Sequence, residues 1–156
     1  MRKFHVKSKG MSLMELMIAV AIVGVLASIA YPSYQNYVYR VEVAEASTEL
    51  RAIIDIIERF QVSQGRYPTQ LSELNLSPEL LEDPWGNTYR YLNLSTVKGN
   101  GKVRKNKSLK PINGYYDLYS VGRDGKSSSP LTAKASQDDV VVANDGAFIG
   151  LGSDYS

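Results

Sequence analysis

Glu15 is the one charged side chain between Met11 and Ala30, and in the stretch KGMSLMELMIAV it follows a glycine, Gly10, by five positions. A carboxylate near the middle of a bilayer costs about 2.5–3.5 kcal/mol, so an acid in such a run calls for a cation or for a place at the interface. Cleavage after Gly10 would supply one, because the new α-amine of Met11 would lie about one helical turn from Glu15. The acid then pairs either with its own amino terminus or with the amine of a neighbouring copy. The second arrangement makes Glu15 an assembly device.

Other chemistry is sparse. The chain has no cysteine, so neither disulfides nor thiolates contribute, and its one histidine, His5, sits in the basic stretch Arg2, Lys3, Lys7, Lys9 ahead of Gly10. A chain that has lost this stretch has no imidazole, which removes most hydrolytic constellations and leaves carboxylate pairs as the remaining acid–base option. Taking those four cations from the total of 18 leaves 14 basic against 16 acidic residues, a balance that argues against a generally basic nucleic-acid-binding surface. One local exception is the stretch from Ser95 to Gly114, where Lys98, Lys102, Arg104, Lys105, Lys107 and Lys110 occur with no acid. It reads as a solvated loop or as a contact for DNA or another acidic surface.

These residues need elements to hold them. Met11 to Ala30 would span about 30 Å as a helix, enough to cross a bilayer. A basic start, an apolar run and the small residues Ser28 and Ala30 also suit a cleaved secretory signal. Against that, helical patterning continues past Pro32 through Tyr37, Val41, Ala44, Leu50, Ile53, Ile54, Ile57 and Phe60, with charged residues interleaved. The pattern predicts one helix from Met11 to Gln64, about 80 Å long, with Gly65 as its C-cap. Its first half is apolar all round and its second half amphipathic. Gly24 and Pro32 are its weak points, the proline because it cannot donate to the Ser28 carbonyl and should bend the helix. Tyr31, Tyr34, Tyr37 and Tyr39 suit anchoring where a helix leaves a membrane.

Beyond Gly65 a short helix is expected near Gln70–Leu74, then a turn at Asp83-Pro84-Trp85-Gly86, with TYRYLNL, YYDLYSV and VVVA as β-rich runs. The economical arrangement is α+β, a small antiparallel sheet packed on the amphipathic half-helix.

The basic leader ending in Gly10, then MSLMEL, Gly24 and Pro32, together resemble the processing signal of type IV pilins and type II secretion pseudopilins, with Met11 in place of the usual phenylalanine. DPWGNTYRYLN followed by YDLYSVGRDG is similar to the major pseudopilin of type II secretion. The resemblance implies a type IV pilin-like fold, a leader at 1–10 removed by a prepilin peptidase between Gly10 and Met11 with methylation of the new amine, a membrane and assembly helix at 11–32 and a globular domain at 33–156. It also implies a non-enzymatic subunit stored in the inner membrane among lipids, single-pass, with its carboxy-terminal domain periplasmic, as the basic leader requires. That subunit would enter a homo-oligomeric filament through Glu15, Gly24 and Pro32, with an inner-membrane assembly platform and minor pseudopilins as partners. Nucleic acid is not an expected partner of this reading. One structural calcium is implied, held by the carbonyls of Val121 and Lys126 and the carboxylates of Asp124 and one or both of Asp138 and Asp139. The chain departs from the resemblance at KSSSPLTAKASQDD and in the long insertion from Ser95 to Pro111. A type IV pilus subunit for adhesion, motility or DNA uptake shares this architecture, and a monomeric membrane-tethered binding module using the lysine loop stands outside it.

Intact-mass measurement of the membrane-extracted protein should show residues 11–156 plus one methyl group. A product beginning at Tyr31 would contradict the filament reading, because the helix needed for assembly would be gone.

Overall fold

A computed structural model of the protein describes residues 10–99 and 101–155; the expected leader lies outside them except for Gly10. The chain forms two compact units, one ending at Tyr39 and one beginning at Arg40.

Helix α1, Leu13–Gln64, runs for 52 residues and is unbroken at both Gly24 and Pro32. The carbonyl that Pro32 leaves without its usual donor belongs to Ser28. Nearby, the Ser28 hydroxyl donates to the Val25 carbonyl (2.7 Å) and the Ser33 hydroxyl to the Ile29 carbonyl (3.2 Å). Gly65 ends the helix with φ 68° while its N–H reaches the Gln61 carbonyl at 2.8 Å, as a left-handed C-cap does.

In the second unit α1 buries Ala46, Leu50, Ile53, Ile54 and Ile57, a stripe at helical spacing flanked by half-buried Val43, Ile56 and Phe60. The stripe begins later than the periodicity predicts, since Tyr37, Val41 and Ala44 are exposed. Apolar periodicity there runs on into the part of the helix that this domain does not cover.

Strands β1 (Arg90–Asn93), β2 (Tyr116–Ser120), β3 (Val140–Ala143) and β4 (Phe148–Leu151) form one antiparallel sheet in that order, with Tyr91 opposite Leu118, Ser120 opposite Val140 and Val141 opposite Gly150. Alternation sorts their side chains. Tyr116, Leu118, Val140 and Val142 join the helix stripe in the main core, whereas Val141 and Ala143 form a second cluster with Ile112 and Leu131. An antiparallel sheet often leaves one face to solvent. Here the loops around Ile112 and Leu131 cover the other face, and all four residues of β3 are buried.

The expected short helix is a 3₁₀ turn at Leu71–Leu74. Neither β4 nor the four-residue helix α2, Gly152–Tyr155, was expected. The β3–β4 connection takes Asn144, Asp145 and Gly146 through positive φ, and α2 is tied back where the Tyr155 hydroxyl donates to Asn144 Oδ1 at 2.7 Å.

Polar ties link helix and sheet. Trp85 Nε1 donates to Glu42 at 2.8 Å, and the Tyr89 hydroxyl donates to Glu49, whose carboxyl is raised by burial against the pull of that bond. The loop after Gly65 is clamped by Glu73, which accepts from the Thr69 N–H (2.8 Å), the Thr69 hydroxyl and Arg66 Nη2 (2.9 Å).

Those three donors, the Thr69 bonds foremost, lower the Glu73 carboxyl from the ordinary 4.5 to about 2. Because the folded value lies below the unfolded one, the clamp stabilises fully above the unfolded pKa and its contribution fades as pH falls toward the folded value. Glu73→Gln should therefore melt below the parent at neutral pH, with the gap closing on acidification to about pH 2. A gap of constant size across that range would contradict the assignment.

Candidate functional site

The first turn of α1 answers the question that Glu15 raises in the sequence. Ser12 and Glu15 form a reciprocal pair: the Glu15 N–H donates to Ser12 Oγ at 3.2 Å, and the Ser12 N–H donates to Glu15 Oε2 at 3.3 Å. This is a capping box, in which two of the four otherwise unsatisfied amides at a helix start find side-chain acceptors. The Leu16 N–H reaches the Ser12 carbonyl at 3.1 Å, which starts the backbone ladder. The carboxylate also stands at the positive end of the helix dipole. Cleavage between Gly10 and Met11 would leave Ser12, its N–H and Glu15 intact, so the box is compatible with processing. The signal was present in the sequence as S-x-x-E immediately before an apolar run, and the charge reading passed over it.

From Met11 to Ile29 the large apolar side chains are between 52% exposed (Ile18) and 76% exposed (Leu13). The most apolar window of α1 has a mean hydropathy of 2.4, with none of it buried within the chain. Tyr31, Tyr34 and Tyr37 are exposed beyond it. A Cβ added at Gly24 would meet nothing within 4 Å. Within one chain, then, no close contact requires glycine at this position.

The loop after β2 holds the residues that the resemblance assigns to calcium. Its position is fixed by the Asp83–Gly86 turn, where Asp83 Oδ1 accepts from the N–H groups of Trp85 (3.1 Å) and Asn87 (2.8 Å) and Oδ2 accepts from the Ser120 hydroxyl (2.5 Å). Asn87 Nδ2 then donates to the Gly122 carbonyl at 3.0 Å. Gly122, at φ 67°, lies so close to the backbone before Asp139 that an added Cβ would stand 2.3 Å from the Asp138 carbonyl oxygen. That approach brings Asp124 and Asp138 together: the Asp124 N–H donates to Asp138 Oδ2 at 3.1 Å, and the Lys126 N–H donates to Asp124 Oδ1 at 2.7 Å. Val121 is buried beside them and Lys126 is exposed.

Asp139 departs from the expected set. Its side chain is buried, and Oδ2 accepts from Arg104 Nη2 and from the Ser127 hydroxyl (2.6 Å). Burial raises its carboxyl above the ordinary range, against the opposing pull of Ser127 and Arg104. Among the described residues no three carboxylate, imidazole or thiol groups gather into a cluster that could hold a metal ion. Of the carboxylates that the resemblance assigns to calcium, the buried Asp139 is already paired with a cation, and Asp124 and Asp138 accept backbone N–H groups.

The cations of the lysine-rich stretch are solvated, as one of its two readings expects, except for Arg104. Lys98, Lys102, Lys107 and Lys110 are exposed, Lys105 is half-buried, and Arg104 is 2% exposed. Nothing in the alternation of charges there marked Arg104 as different from its neighbours.

Residues 6–31 match the prokaryotic N-terminal methylation motif. Among curated proteins the chain is 35% identical to the type IV major pilin protein PilA of Myxococcus xanthus over 102 residues, covering 65% of this chain and 44% of that protein. It is 27% identical to the type II secretion system core protein G of Pseudomonas aeruginosa over 139 residues, covering 77% and 87%. With the type IV major pilin protein PilE1 of Neisseria gonorrhoeae it shares 36% identity over 95 residues, 61% of this chain and 54% of the other. The chain thus spans about half the length of these two pilins. No solved structure gave a significant match. The chain carries the N-terminal methylation motif of the type IV pilin family, and its homologues are type IV pilins and core pseudopilins of type II secretion.

Glu15→Gln keeps an acceptor for the Ser12 N–H but removes the charge, and Glu15→Leu removes both. Ser12 still caps the Glu15 N–H in both variants, so amide exchange at Ser12 itself in detergent should be faster in the leucine variant and near the parent rate in the glutamine variant. Equal exchange in the two would show that Glu15 does not hold the Ser12 N–H.

Proposed function

We propose that this pilin-like structural subunit belongs to a type II secretion pseudopilus, held in the inner membrane by the first half of α1 and then assembled into a filament that drives protein export. The observation that carries the secretion reading is the extent of the match to core protein G, which runs over most of both chains, whereas the pilin matches cover about half of the pilins. The apolar surface of α1 supplies the physical basis. Among the described residues the large side chains from Met11 to Ile29 are all more than half exposed, and each would gain about 1.5–3 kcal/mol on leaving water. Lipid provides that environment before assembly and other copies provide it afterwards.

In this reading residues 1–10 are the leader cut by a prepilin peptidase, 11–32 the membrane and assembly helix and 33–156 the domain carried outside the cytoplasm. Glu15, with its cap on Ser12, brings a carboxylate to the amine of the neighbouring copy. Gly24, which no intrachain contact requires, admits close approach of another helix. An inner-membrane platform and minor pseudopilins are the partners this role demands, and no reaction is catalysed. The second reading, a type IV pilus subunit, is favoured by the higher identities to the two pilins.

Deletion of the gene separates the two. Loss of exoproteins from the medium, their retention in the periplasm and intact twitching are expected. Twitching lost with secretion unchanged would overturn the secretion reading in favour of a pilus.

A further inference from the structure

The far face of the sheet contains a buried charge that neither membrane anchoring nor filament packing uses. Arg104 is engaged by several segments at once. Nη1 donates to Ser127 Oγ and to the Ser128 carbonyl, each at 2.5 Å, Nη2 pairs with Asp139, and the guanidinium carbon stands 4.3 Å from the centre of the Tyr119 ring. Its backbone N–H donates to Asp117 Oδ2 at 2.7 Å, and its carbonyl accepts from the Ile112 N–H at 3.1 Å. Asn113 Nδ2 holds the other Asp117 oxygen at 3.1 Å. Around this centre the Lys105 N–H reaches the Ser129 carbonyl (3.0 Å) and the Leu131 N–H reaches the Lys105 carbonyl (2.9 Å), so the 103–112 and 127–131 segments are laced together over β2 and β3.

Among the described residues, the buried side-chain polar atoms without a partner are Arg104 Nε and Asp139 Oδ1. One is a donor and the other an acceptor of the same ion pair, and a planar fork facing a carboxylate satisfies both when it binds through two bonds. The pair is joined here through Nη2 and Oδ2, and closing the second bond between the two orphans would satisfy both without a third group. Asp124 and Asp138, the carboxylates left over, take backbone N–H donors instead. The segments meeting at the guanidinium are also the two in which the sequence departs from the resemblance: the insertion from Ser95 to Pro111 contributes Arg104, and KSSSPLTAKASQDD contributes Ser127, Ser128 and Asp139.

We infer that Arg104 is a cation built into the chain, which neutralises Asp139 and fastens the loop between β2 and β3 to the sheet, so that this subunit is stapled by its own insertion and not by a metal ion. A buried pair of this kind is strongly destabilised by removing one member, while replacing both by apolar side chains is far milder.

The test uses the full-length protein in detergent, with melting followed through Trp85 fluorescence and calcium binding followed by calorimetry. The parent should melt at the same temperature in millimolar calcium as in excess chelator, with no heat of calcium binding. Arg104→Gln should lower the melting temperature by about 10 °C or more. The double variant Arg104→Met with Asp139→Leu should recover most of that loss, which keeps the test open if the single variant does not fold. A parent that binds calcium and melts several degrees higher with it, an Arg104→Gln variant as stable as the parent, or a double variant no better than Arg104→Gln would each overturn the inference.

Discussion

A single helix in this protein has to satisfy two solvents. From Ala46 to Ile57 one stripe of α1 supplies the helical side of the main core, and the inner face of the sheet is apolar because it meets that stripe. From Leu13 to Ile29 the same helix carries only apolar residues apart from Glu15 and Ser28, and all of them are exposed. Core truncations such as Leu→Ala typically cost 2–5 kcal/mol, so the stripe fixes the domain. The other half remains a surface that requires lipid or further copies. The boundary between the compact units, after Tyr39, lies between these two regimes.

Carboxylates placed among apolar groups recur along the chain, and each is given a donor suited to its surroundings. Glu15 takes a backbone amide at the start of a helix, an arrangement that keeps its charge available to another molecule. Glu49 is held by a tyrosine hydroxyl. Asp117 is shared between a backbone amide and Asn113, with burial raising its carboxyl against both bonds. Asp139, fully buried, receives a full counter-charge. The demand rises with burial: the exposed Glu15 takes one hydrogen bond, whereas the buried Asp117 takes two and the buried Asp139 a cation.

Much of this was legible in advance, and the exceptions have physical reasons. The extent of α1 could be read from its period and from Gly65, and β1 to β3 from their tyrosine- and valine-rich runs. The strand β4 was hidden because Phe148-Ile149-Gly150-Leu151 is short and contains a glycine, although the Asn144-Asp145-Gly146 turn before it was a hairpin signal. The start of the buried stripe was misplaced because apolar periodicity marks a helix face without saying what covers it. Arg104 could not be singled out, since a buried guanidinium and a solvated one are the same letter in a basic loop. Its role depends on Ser127, Ser128 and Asp139, which only the fold brings near.

Assembly into a filament would pack the exposed apolar half of α1 against the same half of other copies. A chain without cysteine allows this to be measured cleanly, by placing single cysteines on that face, Leu16→Cys or Val20→Cys, and oxidising cells in which the protein is being assembled. Each variant forms one disulfide per pair of chains, so helix packing predicts disulfide-linked dimers from both in the assembled fraction and no dimer from a control cysteine at the exposed Ser72. Only monomer at positions 16 and 20, with the protein correctly processed and present in the membrane, would contradict it.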